Sequence, residues 1–164
     1  MASLFRKLDL PTGVAGALYL HSMPGRDEAL EDAVAQIQQL GISKVISLAD
    51  LTEIRLKSQE YARAIETGEL PATLASCPIP DRGVPDDPAD FFTSVKQTAS
   101  AIKSGERILV HCGAGIGRTG TYATGVLMQL GLPKDQALAK ARQAASYPET
   151  KEQLDLLDNP ALLN

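Results

Sequence analysis

Ile108-Leu109-Val110-His111-Cys112-Gly113-Ala114-Gly115-Ile116-Gly117-Arg118-Thr119-Gly120 is the stretch from which the rest of the chain can be read. Ile108, Leu109 and Val110 form a short, wholly apolar run, the pattern of a strand covered on both faces. A glycine-rich loop follows, and a helix is expected to begin near Arg118. In such a loop successive N–H groups can point inward beside a helix N-terminus and form a nest for an anion, with phosphate the natural guest. Gly113, Ala114, Gly115, Ile116 and Gly117 supply the backbone of that nest, and Arg118 adds a planar fork of donors matched to phosphate oxygens. The same surroundings favour a thiolate at Cys112, because such sites lower a cysteine pKa from ~8.5 to roughly 3.5–7.5. A thiolate facing a bound phosphate is a nucleophile in line with phosphorus, so the expected first step is a cysteinyl-phosphate.

Outward from this stretch, strands and helices alternate. Upstream, Gly16 to Leu20 reads as a strand closed by the turn Met23-Pro24-Gly25, after a polar N-terminal arm over residues 1–13. Leu30, Val34, Ile37 and Leu40 mark one helical face, and the β-branched run within Ile42 to Leu48 marks a second strand. Leu51 to Glu66 reads as one polar helix, and Thr73 to Cys77 as a further strand. Pro78, Pro80, Pro85 and Pro88 then forbid regular structure, which makes the segment between them a stiff, exposed loop. Helices are expected around Phe92 to Ile102, Thr119 to Leu130, Lys134 to Ala145 and Lys151 to Leu157. The alternation predicts an α/β fold, a central mostly parallel sheet flanked by helices on both faces, in a single domain with its core over about residues 14–158.

Composition excludes several classes. Lys plus Arg number 16 against 20 Asp plus Glu, a net charge of −4, so no general attraction to nucleic acid or to an anionic membrane is expected. Only Cys77 and Cys112 are present, beside His21 and His111, too few for a disulfide scaffold or a structural zinc cage. No metal or other cofactor is implied. No apolar run approaches the ~20 residues of a membrane span, and no clean leader cleavage site follows Arg6 and Lys7, so a cytoplasmic protein is expected.

Other readings of the glycine stretch fall away on the residues. No Gly-Lys-Ser/Thr closes it, which excludes a Walker nucleotide loop. Gly115 to Gly120 matches G-x-G-x-x-G literally, but the second strand with a terminal acid is missing, since Lys134 to Ala145 reads as a helix. The Cys112-to-Arg118 spacing alone is weak: eight arginines and two cysteines in 164 positions produce it by accident about one time in ten. The glycines, the strand before them and the helix after them make the coincidence far rarer.

The string His111 to Gly120 resembles the signature of the cysteine-dependent protein tyrosine phosphatases. Upstream, Pro80-Asp81-Arg82-Gly83-Val84-Pro85 is similar to that family's mobile acid loop. Downstream, Pro148-Glu149-Thr150-Lys151-Glu152-Gln153 resembles the segment that positions water in the second step. The three occur in family order, and length together with the Glu-Thr-x-x-Gln ending resembles the small dual-specificity branch. The resemblance implies Cys112 as nucleophile, Arg118 as phosphate clamp, and Asp81 as the general acid that later activates water. It also implies that Thr119 assists the leaving sulfur, that Gln153 holds the water, and that His111 supports the loop from behind. A poor alkoxide or phenoxide leaving group needs such an acid on a loop able to close.

Each residue also has a plainer reading. Asp81 suits a turn, while Asp86 and Asp87, just before Pro88, suit a helix cap. Thr119 and Gln153 fit ordinary helix positions, and Cys77 fits core packing. Ile79 stands where the tyrosine-specific branch has Trp, and no counterpart of its Tyr-bearing wall is present, which implies a shallow pocket. No lysine lies between Cys112 and Arg118, unlike many lipid-phosphate relatives. The expected partner is a phosphorylated protein or peptide, with phosphotyrosine first and phosphoserine or phosphothreonine possible. A small-molecule, lipid or RNA 5′ phosphate, a non-catalytic phosphate-binding module, and sulfur-transfer or arsenate chemistry remain as alternatives.

Overall fold

The computed structural model describes residues 3–163. In chain order its strands are β1 (Arg6–Lys7), β2 (Ala17–His21), β3 (Lys44–Ser47), β4 (Thr73–Ser76) and β5 (Arg107–His111). They form one sheet in the order β1-β2-β5-β3-β4, parallel throughout except for β1, which lies antiparallel on β2 at the edge. Between and after them come α1 (Leu30–Gln39), α2 (Leu51–Lys57), α3 (Gln59–Thr67), α4 (Pro88–Lys103), α5 (Gly117–Gln129), α6 (Lys134–Gln143) and α7 (Lys151–Leu156), then a short 3₁₀ turn at Pro160–Leu163.

The period of two along the strands divides the core into two layers. On β5, Ile108 and Val110 face a cluster that includes Leu18, Phe91, Val95, Tyr122 and Val126, whereas Leu109 faces Tyr19, Val45, Ala33 and Ile37. A smaller group, Met23, Ala49, Ile54, Tyr61 and Ala62, closes the carboxyl ends of the parallel strands, where an open α/β sheet places its ligand crevice. β5 is the central strand, paired with β2 on one side and β3 on the other, so its last residues emerge in the middle of that crevice.

Helix α5 runs through the core, buried from Gly117 to Met128. Its threonines are affordable there because Thr121 and Thr124 donate their hydroxyls to the carbonyls of Gly117 (2.8 Å) and Gly120 (2.7 Å). Gly120 has no substitute: a Cβ on it would sit 2.1 Å from the Tyr147 amide nitrogen. Among the described residues, no helix is long and apolar enough to cross a membrane.

The sequence expectation fails at three places. The polar arm contains β1. The single helix expected over Leu51 to Glu66 is two, because Ser58 leaves helical geometry (φ −154°, ψ 86°) and donates its hydroxyl to the Pro24 carbonyl at 2.9 Å. The 3₁₀ turn at the C-terminal end carries no periodic signal and is not anticipated.

Candidate active site

β5 delivers Cys112 to the crevice, and the loop from 112 to 116 turns directly into α5. The carbonyls of this loop point outward. Cys112 O lies 3.0 Å from His111 Nδ1. Gly113 O accepts from the Met23 amide and the Arg26 guanidinium, both at 3.0 Å. Gly115 O accepts from Ser146 Oγ (2.7 Å) and Arg6 Nη2 (2.8 Å). Ile116 O accepts from the amides of Gly120 (2.8 Å) and Tyr147 (3.0 Å). A planar trans peptide sets its N–H opposite its C=O, so carbonyls held outward turn the following amides inward. That is the nest the glycines suggest, and its basis is the ring of donors around it. Gly115, at φ +76°, adopts a left-handed backbone, and a Cβ there would meet the His21 carbonyl oxygen at 2.5 Å.

Cys112 is 2% exposed, and its Sγ accepts from the Gly115 amide (3.2 Å) and from Thr119 Oγ1 (3.1 Å). Arg118 reaches back from the first turn of α5. Its Nη1 donates to Glu53 Oε1 (2.8 Å) and the Ile79 carbonyl (3.0 Å), and its Nη2 donates to Glu53 Oε2 (2.8 Å). Nη2 also lies 3.3 Å from Asp81 Oδ1. Burial works against the Arg118 charge, but the Glu53 bond and the negative charges of Cys112, Glu53 and Asp81 outweigh it, and the net shift is upward. The Arg118 hydrogen bonds, helped by Lys57 and opposed by burial, hold the Glu53 carboxyl down at about 2.

Behind the loop, burial depresses His111 to about 4, so the imidazole is neutral at pH 7. With a carbonyl facing Nδ1, the proton resides on Nδ1, and Nε2 accepts from the Tyr61 hydroxyl at 2.8 Å. Burial in turn raises Tyr61, which keeps that hydroxyl protonated.

Asp81 stands apart, with its side chain 63% exposed. The turn that carries it closes through the Gly83 amide onto the Pro80 carbonyl (2.8 Å), with Arg82 in the left-handed region at φ 63°. Gln153 is buried: its Oε1 accepts from the Glu149 amide (2.8 Å) and its Nε2 donates to the Gly83 carbonyl (3.1 Å). Thus the segment expected to orient water is tied to the acid loop. Asp87 accepts from the Ala89 amide as the N-cap of α4, which is its plainer sequence reading. Cys77 is buried, and burial pushes its thiol up.

The structure therefore gathers Cys112, Arg118, Asp81 and Thr119 at one place and sets His111 beneath them. Glu53, Lys57, Tyr61 and Arg6 are also there, and sequence reasoning passes over all four. Glu53 and Lys57 lie in a polar helix with nothing to single them out. The surest hint is the four-residue spacing that lets Lys57 donate to Glu53 at 2.7 Å.

Comparison with known proteins places this arrangement among phosphatases. Residues 14–158 match the family described as Swiss Army Knife protein, DSP-PTPase phosphatase domain. Over 42 residues the chain is 55% identical to Tyrosine-protein phosphatase 1 of Caenorhabditis elegans, a stretch covering 25% of this chain and 4% of that far longer protein. The fold is similar to that of a kinase-associated phosphatase whose catalytic cysteine is replaced by serine, with TM-score 0.80, 20% identity, and 96% and 93% of the two chains covered. It is also similar to Tk-PTP in its active form, with TM-score 0.73, 23% identity and 96% of each chain covered. At these identities the likeness to both structures is one of fold.

Proposed function

This chain belongs to the DSP-PTPase phosphatase domain family, the small dual-specificity type of the cysteine-dependent phosphatases, and from that premise we propose that it hydrolyses phosphotyrosine in proteins, with phosphoserine and phosphothreonine as further substrates. The supporting observation is the meeting of Cys112 Sγ, bonded to the Gly115 amide and Thr119 hydroxyl, with Arg118 Nη2 only 3.3 Å from Asp81 Oδ1.

In this reading the non-bridging phosphate oxygens occupy the inward amides from Gly113 to Gly117 and the Arg118 fork, donors already oriented before the substrate arrives. The Cys112 sulfur attacks phosphorus, an S–P bond forms, and the P–O bond to the leaving group breaks. Asp81 gives its proton to the departing oxygen. A water then attacks phosphorus, Asp81 accepts its proton, and the S–P bond breaks to release inorganic phosphate. Thr119, donating to the sulfur, eases that departure. Glu53 holds both Nη nitrogens of Arg118, so the phosphate shares the fork with Glu53 or displaces it, and Gln153 sets the position of the acid loop through Gly83.

Phosphotyrosine comes first because the curated relative sharing 55% identity over 42 residues is named as a tyrosine phosphatase. The test is turnover of phosphotyrosine, phosphoserine and phosphothreonine peptides, a phosphoinositide and a 5′-phosphorylated RNA by the wild type and by Cys112→Ser. The wild type is expected to prefer the phosphotyrosine peptide, and the variant to lose at least about 10⁴-fold in rate. Equal rates in the two proteins would end this assignment, and a preference for the lipid or the RNA would move the substrate class.

A further inference from the structure

β1 lies ahead of the residues matched to the phosphatase family, which begin at 14, yet it sends one side chain under the anion loop. Arg6 pairs opposite Leu20 in the sheet. Its Nη1 donates to the Ala144 carbonyl (2.7 Å) and Ser146 Oγ (3.0 Å), and its Nη2 to the Gly115 carbonyl (2.8 Å). Those three acceptors belong to two different segments, the end of the α6 region and the phosphate loop. Ser146, fully buried, also donates to the Gly115 carbonyl at 2.7 Å, so the two segments and the N-terminal strand meet on one oxygen.

The strand is anchored on both faces of the sheet. Phe5, 2% exposed, packs against the His21 ring at a tilt of 57° with centroids 4.9 Å apart, and Leu8, 1% exposed, joins the opposite core layer. Arg6 itself is half-buried, and no carboxylate among the described residues pairs with it. A cation withdrawn from water and given only neutral acceptors is costly. Burial accordingly lowers Arg6, and the one charge that works in the other direction is the Cys112 sulfur. Coulomb attraction is mutual, so whatever Arg6 gains from a sulfur anion the anion gains from Arg6.

We propose that Arg6 is a positioning residue of the phosphatase reaction: it holds the Gly115 peptide so that the following amide faces the bound phosphate, and its unpaired charge supports the Cys112 thiolate from behind. The N-terminal strand is then part of the catalytic apparatus. The inference rests on Cys112 being the nucleophile. Its consequences fall on both chemical steps, since the same charge that favours the attacking thiolate also favours it as the group leaving phosphorus.

The test uses the full chain with Arg6→Met, which removes the charge, and Arg6→Lys, which keeps the charge and loses the fork. The pH profile of Cys112 alkylation by iodoacetamide is followed by mass spectrometry, which separates Cys112 from the buried Cys77. The steady-state constants for p-nitrophenyl phosphate and the thermal unfolding midpoint are measured beside it. In Arg6→Met the midpoint of the alkylation profile is expected to rise by about one pH unit, and kcat to fall about tenfold with KM little changed. In Arg6→Lys the midpoint is expected to return most of the way to the wild-type value while kcat recovers only in part, because an ammonium lacks the planar fork that bridges the Gly115 and Ala144 carbonyls. Wild-type profiles in both variants would overturn the inference, and so would equal displacement in both, which marks a tie with no electrostatic part. Should Arg6→Met fail to fold, Arg6→Lys still decides: an alkylation midpoint raised as far as one unit there sinks the role of charge. Alkylation needs no turnover, so this result is independent of substrate. If Cys112→Ser retains full activity, the nucleophile reading falls; if activity requires Cys112 but its profile ignores Arg6, this inference alone falls.

Discussion

In the proposed reaction the loop from 112 to 118 supplies the nucleophile and the loop from 78 to 85 the acid, and the two are built in opposite ways. In the first, Cys112 is 2% exposed, and four carbonyls are held by donors from β5, the loop after β2, β1, the first turn of α5 and the 144–147 turn. In the second, the Asp81 side chain is 63% exposed and its turn is closed by one backbone bond, with Gln153 reaching Gly83 from outside. The difference follows the chemistry. An anion cradle works by donors that need no reorganisation when charge arrives. An acid that must meet leaving groups of various shapes, then a water, benefits from a loop able to move. Stability and activity should therefore be coupled in the first loop and separable in the second.

The largest expected effect tests that separation. Asp81→Ala should lower kcat on a phosphotyrosine peptide by about 10²–10⁴-fold, and less on p-nitrophenyl phosphate, whose leaving oxygen needs less protonation. Calorimetry should find the thermal midpoint unchanged, because an exposed side chain contributes little to folding. A large drop in midpoint would show the acid loop to be as structural as the cradle.

Gly115→Ala is the counterpart in the cradle. The added Cβ meets backbone atoms of His21 and Ser22 at 2.5 to 2.6 Å at a position with φ +76°, so stability should fall by roughly 3 kcal/mol. Denaturant unfolding should show this loss together with a loss of turnover. Intact stability with reduced turnover would break the coupling.

The smallest effect is the response of the cradle to acid. His111 is neutral in the fold at about 4, whereas an unfolded histidine protonates near 6.5, so the unfolded chain binds more protons between those values. Stability is complete above about pH 6.5 and declines as pH falls toward 4, by about 2 kcal/mol between pH 7.5 and pH 5. Glu53 contributes stability that is present above the ordinary carboxylate range and is lost as pH falls toward 2. Unfolding free energies measured across this range should show the first decline in the wild type and not in His111→Asn. A flat wild-type curve would mean that the buried imidazole is not neutral.

Much of the molecule is legible from local pattern. The apolar triplet 108–110, the glycines after it and the helix beyond place the Cys112 thiol and the Arg118 fork within one continuous segment. The parallel sheet follows from strands alternating with helices. What escapes is the scaffold around that segment. Residues 51–66 look like one helix because their propensities favour one, and only the bond from Ser58 to Pro24 divides them. That division sends Glu53 and Lys57 toward Arg118 on α2, and Tyr61 toward His111 on α3. β1 escapes for a related reason, since two residues of edge strand carry no period to read.

By itself, then, the amino-acid order determined the chemical types at the centre and the class of fold, because a thiol, a guanidinium and a flexible backbone lie within seven consecutive residues, and burial patterns repeat along each element. Which other charges surround that centre was decided only by the packed chain. Glu53 and Arg6 are 65 and 109 positions away from the groups they hold, and nothing local distinguishes them from surface residues. Hydrogen bonds and charge act over a few ångströms in space, and only the fold converts separation along the chain into distance.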